Sequence, residues 1–480
     1  MSVLVAIYLV LLVAMLGYGA NSFILVVVHA RRRSRAPRAP PPPADLPVVT
    51  VQLPVYNEEN VVVRLLEAVA RLDWPRERLE VQLLDDSTDA TSEVAAAAVA
   101  RLRDGGLDVT HVRRGDRRGY KAGALRHGLT SSRGSLVAIF DADFVPPPDF
   151  LKRAVGWFAD PRVAAVQGRW THLNRDWSRL TRAQALAIDG HFGVEQSARC
   201  WAGWLMNFNG TAGIWRRDAI EDVGGWSDDT LTEDLDLSYR AQLRGWRLVY
   251  DPDLVCPSEL PTDLAAFKAQ QRRWATGTIQ TARKLLPAVW RAPLTLAAKI
   301  QATLHVTHYV VHPLIAATAL LAAPCVLLPG VASSPHQLWT LLLPFALAMS
   351  GPTLLYLYAQ RALGQSASVP WRDLALLTLV GIGIAVSNGR AVLAGLRGPR
   401  GGAFERTPKL GVVHAGDRPV RAYRSGADGL VRVEAGLALY ALATGVALVW
   451  FGVWVVAPFM LLDAAGLGYV AARSRAEARR

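Results

Sequence analysis

Cysteine and lysine are both scarce in this 480-residue chain. The three cysteines, Cys200, Cys256 and Cys325, stand far apart with no CxxC pair, which excludes a disulfide-stapled scaffold and a cysteine zinc site. Lysine occurs six times against 47 arginines. Charged residues make up 19%, below the ~25% of ordinary soluble domains. Apolar residues, counted with glycine and without tyrosine, reach about 57%, against the usual ~45–50%. Part of the chain therefore sits in lipid. Two phosphate-binding signatures are also missing, G-x-x-x-x-G-K-[ST] and G-x-G-x-x-G, so phosphoryl transfer on a P-loop and hydride transfer on a dinucleotide are excluded.

The formal net charge of +13 is of the kind that favours nucleic acid, but its placement points elsewhere. Much of the excess lies in Arg31, Arg32, Arg33, Arg35 and Arg38, in residues 397–432, and in Arg473, Arg475, Arg479 and Arg480, all beside apolar runs. That is the positive-inside pattern of a membrane protein, and no nucleic-acid partner is expected.

Residues 3–28 are almost uncharged and long enough to span a bilayer, with five arginines after them and none before. A retained N-terminal anchor (residues 1–30) with its N-terminus outside is expected, then a basic, Pro-rich linker over 31–46. Further apolar runs cover 297–328 and 338–358, giving two spans within 297–360. The run 435–472 would be ~57 Å as one helix, so a hairpin over 433–473 turning near 452–458 is expected, with a tail at 474–480. The segment 374–394 is interrupted by Ser387, Asn388 and Arg390. Laying it, as part of an interfacial helix at 371–396, in the cytoplasmic interface puts every basic connector inside and leaves five spans. His305, His308 and His312 share a helix face, which permits a metal site; with no second cluster to complete it, packing or cavity lining is the favoured reading.

Residues 47–260 have ordinary globular composition. Strand-like runs at 48–53, 79–84, 109–112, 135–140 and 163–166 alternate with helical patterns such as 58–71 and 92–102. A mainly parallel α/β sheet is expected, with ligands beyond the carboxyl ends of its strands. Two acidic clusters fall there: Asp85-Asp86-Ser87-Thr88-Asp89 and Asp141-Ala142-Asp143. Alone, each is a turn or a helix cap. Together they repel unless a cation joins them, and an open Asp-x-Asp site suits Mg²⁺ or Mn²⁺ bridging a diphosphate. A nucleotide-sugar site is the economical reading.

With these clusters go Thr232-Glu233-Asp234, Gln270-x-x-Arg273-Trp274 and, beyond the second and third spans, Phe404-x-x-Thr407-Pro408-Lys409. This ordered set resembles the family 2 glycosyltransferases of the cellulose synthase superfamily. Gly119-Tyr120-Lys121-Ala122-Gly123-Ala124-Leu125 and Phe208-Asn209-Gly210-Thr211-Ala212-Gly213 look most like its cellulose synthase-like A branch, the mannan and glucomannan synthases. The resemblance implies a GT-A α/β catalytic domain set between transmembrane helices, and inverting transfer from a nucleotide-diphosphate sugar. By the same resemblance Asp234, with Glu233 beside it, is the general base. Asp143 and Asp141 hold Mg²⁺ or Mn²⁺. Tyr56, Glu58 and Asp85 or Asp86 bind the nucleoside, and Lys121 lies near the diphosphate.

An amphipathic helix over 261–296 carries Gln270, Arg273 and Trp274 at i, i+3 and i+4, one face offering a ring to an acceptor sugar and a fork to phosphate oxygens. Phe404, Thr407 and Lys409, in the region 397–432, resemble the gating loop that covers the donor in cellulose synthases, with Arg406 where the commoner loop has Val. The implied partners are a donor of GDP-mannose or UDP-glucose type, a glycan or lipid acceptor, and membrane lipids. The implied setting is the plasma membrane, with the catalytic domain in the cytoplasm. A processive β-glycan synthase of β-1,4-mannan, glucomannan or glucan type heads the readings. A transferase adding one sugar to a lipid and a catalytically silent sensor or scaffold are the alternatives.

Overall fold

The chain was analysed as a computed structural model, which describes residues 3–326, 335–365, 369–399, 401–403, 406–414, 417, 429–454 and 456–479. Seven strands among them form one mixed sheet: β1 (Val49–Val55), β2 (Leu79–Asp85), β3 (Val109–Arg113), β4 (Leu136–Ile139), β5 (Val163–His172), β6 (Gly213–Arg216) and β7 (Arg247–Ser258). Their order is β3-β2-β1-β4-β6-β5-β7. β6 runs antiparallel to both its neighbours, and the remaining pairs are parallel.

Side chains alternate across the pleat. Along β4, Leu136 and Ala138 join a core with Val51, Leu65 and Phe150. Val137 and Ile139 face the opposite layer, with Leu125, Trp215 and Leu237. Burial on both faces explains the near-continuous apolar strands.

The 28-residue helix Leu264–Arg291 leads from this domain to the apolar helices that follow. Asp263 caps it by accepting from Ala266 N at 2.7 Å, and Glu477 accepts from Leu264 N at 3.0 Å and Ala265 N at 3.2 Å. One turn on, Lys268 pairs with Glu434 at 2.6 Å, both fully buried. The helices Val431–Trp450 and Ala457–Glu477 thus clamp the start of this helix. Its other side touches the catalytic layer, where Leu231 N donates to Gln280 Oε1 at 3.0 Å.

Three helices among the described residues are long and apolar enough to cross a membrane: Val3–Arg32, His308–Cys325 and Val431–Trp450. The run 435–472 divides at 451–456, where a hairpin turn is expected. The helix Pro335–Ala362 packs on Val3–Arg32 so closely that a Cβ on Gly351 would lie 2.1 Å from Gly19 O. Small residues of this kind let apolar helices approach backbone to backbone.

Two expectations need correction. Residues 374–394 form no single interfacial helix but a pair, Trp371–Gly383 and Ala385–Arg397, bent by 46°. Ser387 and Asn388 are fully buried, and Asn388 Nδ2 lies 3.0 Å from His312 Nε2, so the polarity of Asn388 answers a protein neighbour. The three histidines share no continuous helix either: His305 ends one helix, His308 opens a 3₁₀ turn and His312 begins the next. Each has its own partner, His305 on Tyr239 Oη at 2.8 Å and His308 on the His305 carbonyl at 2.7 Å.

Candidate active site

The carboxyl ends of β1, β2 and β4 open into one cleft. After β1, Asn57 takes a left-handed φ of 55° and ties its turn to the next, accepting from Thr88 N at 2.8 Å and donating its own N–H to Ser87 Oγ at 2.9 Å. Asp85 closes β2 facing inward. It accepts from Ser87 N (2.8 Å) and Ser92 Oγ (2.6 Å) and meets His111 Nε2 (2.8 Å). Burial pushes its carboxyl up, but these bonds outweigh burial and hold it well below the usual carboxylate range. Asp85 is therefore a brace. Of the Asp85–Asp86 pair, Asp86 faces the cleft, held by Arg114 Nε at 2.9 Å and by Arg114 Nη2.

Beyond β4, Asp141 and Asp143 line the floor. Asp141 N donates to Thr211 Oγ1 at 2.8 Å, while its carboxylate accepts from Lys121 Nζ. The same ammonium donates to Gly210 O at 2.9 Å and lies 3.9 Å from Glu233 Oε1. Lys121 thus stands inside the acidic cluster, though the resemblance implies a place near the diphosphate. Burial lowers the Lys121 ammonium's pKa, but Asp141 and Glu233 outweigh that and hold it above its ordinary value.

Gly210, at φ 80°, makes the arrangement possible, since a Cβ there would lie 2.9 Å from Asp234 Oδ2 and 3.4 Å from Lys121 Nζ. Glu233 and Asp234 begin the helix Glu233–Leu243, and Asp234 Oδ1 accepts from Leu235 N at 2.8 Å. Burial first, and the Glu233 carboxylate second, push Asp234 above the ordinary carboxylate range.

The third wall comes from far along the chain. Gln270, Arg273 and Trp274 line the cleft from the helix Leu264–Arg291, and residues 406–411 lie across it. Arg273 Nη1 donates to Thr407 Oγ1 at 3.3 Å, and Lys409 Nζ bonds Asp143 Oδ2 and Glu259 O, each at 2.7 Å. Glu259 Oε1 accepts from Leu410 N (2.9 Å) and Gly411 N (3.1 Å). Arg406 Nη1 lies 3.3 Å from Glu58 Oε2, yet burial wins and pushes Glu58 up to about 8.

Every residue given a catalytic, metal, donor, acceptor or gating role in the sequence analysis, except Asp85 and Phe404, lines this one cleft; Phe404 lies outside the described residues. Arg117, Trp170, Asn209 and Glu259 line it too. Glu259 carries no motif, and Trp170 sits in the polar half of β5, which read as strand only to residue 166.

An all-oxygen donor set of Asp141 and Asp143 suits Mg²⁺ or Mn²⁺. Among the described residues no three acidic, histidine or cysteine side chains gather closely enough to hold a metal by themselves. The Lys409 ammonium on Asp143 shows that this carboxylate takes a cation. The residues fit a metal held by one or two carboxylates and completed by substrate phosphates.

Residues 46–277 match the family described as glycosyltransferase like family 2. The match covers just under half of the chain. Among curated relatives, glucomannan 4-beta-mannosyltransferase 1 of Oryza sativa subsp. japonica is 39% identical over 327 residues, 65% of this chain and 62% of the relative. Glucomannan 4-beta-mannosyltransferase 2 of Arabidopsis thaliana is 44% identical over 253 residues, 52% of this chain and 47% of the relative. The chain thus spans about half to three-fifths of the length of these relatives. A solved mannosyltransferase of Pyrobaculum calidifontis, in complex with GDP-Man and Mn2+, matches with a TM-score of 0.49 at 24% identity over 80% of this chain and 99% of its own, a likeness too loose to bear on chemistry. The mixed sheet with the family match gives a GT-A-like glycosyltransferase fold.

Proposed function

We propose that this chain is a membrane-embedded, inverting hexosyltransferase that draws on a nucleotide-diphosphate sugar and extends a β-linked polysaccharide of mannan, glucomannan or glucan type. One observation carries the reading. Asp86, Asp141, Asp143, Glu233 and Asp234 line a single cleft with Lys121, Arg273, Trp274 and Lys409, although these residues span more than 300 positions of the sequence. Inversion requires an acceptor hydroxyl behind the anomeric carbon, a base for its proton and compensation of charge on the departing diphosphate.

Asp234 is the base. Its raised pKa matches a group that takes a proton near neutral pH, and Gly210 lets Asp234 and Lys121 sit against the backbone where a Cβ would intrude. Trp274 offers its ring to the acceptor sugar from the same side as Gln270. Asp143 and Asp141 would hold the divalent cation, whose chemistry when bound is to neutralise charge on the leaving diphosphate. Arg273 and Lys409 meet the same oxygens from the facing wall, and residues 406–411 exclude water. Tyr56, Glu58 and Asp86 take the nucleoside.

The five-span arrangement, with the catalytic domain in the cytoplasm of the cell membrane and the N-terminus outside, fits the positive-inside distribution. The relatives' printed activity, mannosyl transfer in glucomannan synthesis, supports the polymer reading over a single-sugar glycolipid product. The test offers GDP-mannose and UDP-glucose separately, with Mg²⁺ or Mn²⁺, to purified protein in lipid. A labelled polymer that a β-mannanase or β-glucanase degrades is expected. A single-sugar lipid product, or no turnover, overturns it.

A further inference from the structure

Arg117 has a role in none of the chemistry above, although it lines the same cleft. It belongs to the turn between β3 and the helix Tyr120–Ser131, a turn that Arg114 braces by donating to Arg118 O at 2.8 Å and Tyr120 O at 3.1 Å. Its guanidinium carbon lies 3.3 Å from the centre of the Tyr56 ring and 4.9 Å from that of Tyr120. Two aromatic rings therefore hold the plane, as they do in cation–π pairs. The neighbouring arginines are engaged, Arg113 on Ser87 O and Arg114 on Asp86. Arg117, by contrast, has a buried Nε with no hydrogen-bond partner among the described residues. A buried, unpartnered donor at the wall of a ligand cleft points to an acceptor on the ligand.

The position argues against phosphate as that acceptor. Lys121, Arg273 and Lys409 gather around Asp141, Glu233 and Asp143, where the diphosphate is proposed to lie, whereas Arg117 lies with Tyr56 and Asp86, the residues proposed to take the nucleoside. An uncharged heterocycle bearing acceptors fits better. An arginine fork makes two parallel bonds only where two acceptors lie side by side. Guanine offers O6 and N7 in that way, adenine sets a donor beside N7, and uracil has O4 flanked by no second acceptor. Guanine's N1–H and N2–H₂ also present donors that a carboxylate such as Asp86 accepts.

We infer that Arg117 is the base-reading residue of the donor site and that its guanidinium selects a guanine nucleotide by bonding O6 and N7. The inference rests on the nucleotide-sugar reading of the cleft and adds which base enters and what recognises it.

The test measures dissociation constants of GDP, 7-deaza-GDP (which lacks the N7 acceptor) and UDP for the full chain in lipid nanodiscs, with Mn²⁺ present. Wild type should prefer GDP to 7-deaza-GDP by on the order of tenfold. Arg117→Ala should bind GDP roughly tenfold to a hundredfold more weakly and no longer distinguish it from 7-deaza-GDP, with UDP affinity little changed. Arg117→Lys, which keeps charge without the fork, should also lose the distinction. The same preference for GDP over 7-deaza-GDP in wild type and both variants overturns the inference while leaving the donor site standing. So does an equal loss for GDP and UDP. No binding of any of the three nucleotides to wild type overturns the nucleotide-sugar reading together with it.

Discussion

The Lys409 ammonium lies 2.7 Å from the Asp143 carboxylate, a contact between residues 266 positions apart. The chain runs through the apolar helices after residue 291 before it returns to place that cation on the floor of the cleft. Any divalent cation at Asp143 competes with this ion pair. Asp143→Ala should abolish the dependence of donor affinity on Mg²⁺ or Mn²⁺, measured by nucleotide titration with and without chelator. Unchanged affinity in both conditions would remove Asp143 from the metal site.

Asp234→Asn takes away the proposed base and leaves the proposed donor contacts in place. Transfer should fall by about 10²–10⁴-fold with donor affinity nearly unchanged. Turnover like wild type would sink the assignment.

The pH dependence follows from the environment of Asp234. The base works as a carboxylate, and burial with the Glu233 charge raises its pKa, so kcat/KM should fall as pH drops through a value above the ordinary carboxylate range. Lys121 offsets part of that shift. In Lys121→Met the acid limb should move to higher pH, which a loss of fold alone would not produce. A limb left in place would separate Lys121 from the base.

Trp274→Ala should weaken acceptor use by about 0.5–1.5 kcal/mol while donor hydrolysis is spared. Comparing transfer with hydrolysis at matched donor concentration checks this; equal losses would point to a packing role.

Gly210→Ala sets a methyl group 2.9 Å from Asp234 Oδ2 in a backbone at φ 80°. Strain of about 1–3 kcal/mol is expected, read as a lowered unfolding temperature together with lost turnover. A fully active, equally stable variant would contradict the close packing of base and lysine.

Most of the site was legible because each motif follows a strand that reads plainly. Leu79–Asp85 ends one residue past the strand expected from sequence, and Asp141 follows an uninterrupted apolar run. β7 was hidden by Pro252 and Pro257, which argue against a strand; it forms because it is the sheet's edge, where a missing N–H is tolerated. β6 has only four residues and lacks a period to detect. Asp85 and Asp86 look alike in sequence; the partners that hold Asp85 inward include Ser92 and His111, which spacing along the chain does not reveal. The Lys409–Asp143 contact has no sequence signal, because spacing along a chain says nothing about where it returns after a run of helices.

Three segments wall the cleft, and only one of them is the sheet domain. A fragment cut at residue 260 to make a soluble protein would keep Asp143 and Asp234 yet lose Trp274, Arg273 and Lys409. It would also lose Glu434 and Glu477, which hold the intervening helix in place. Such a fragment is expected to behave as a nucleotide trap open on one side, so inhibitor screens run against it would select compounds for a surface the intact chain covers.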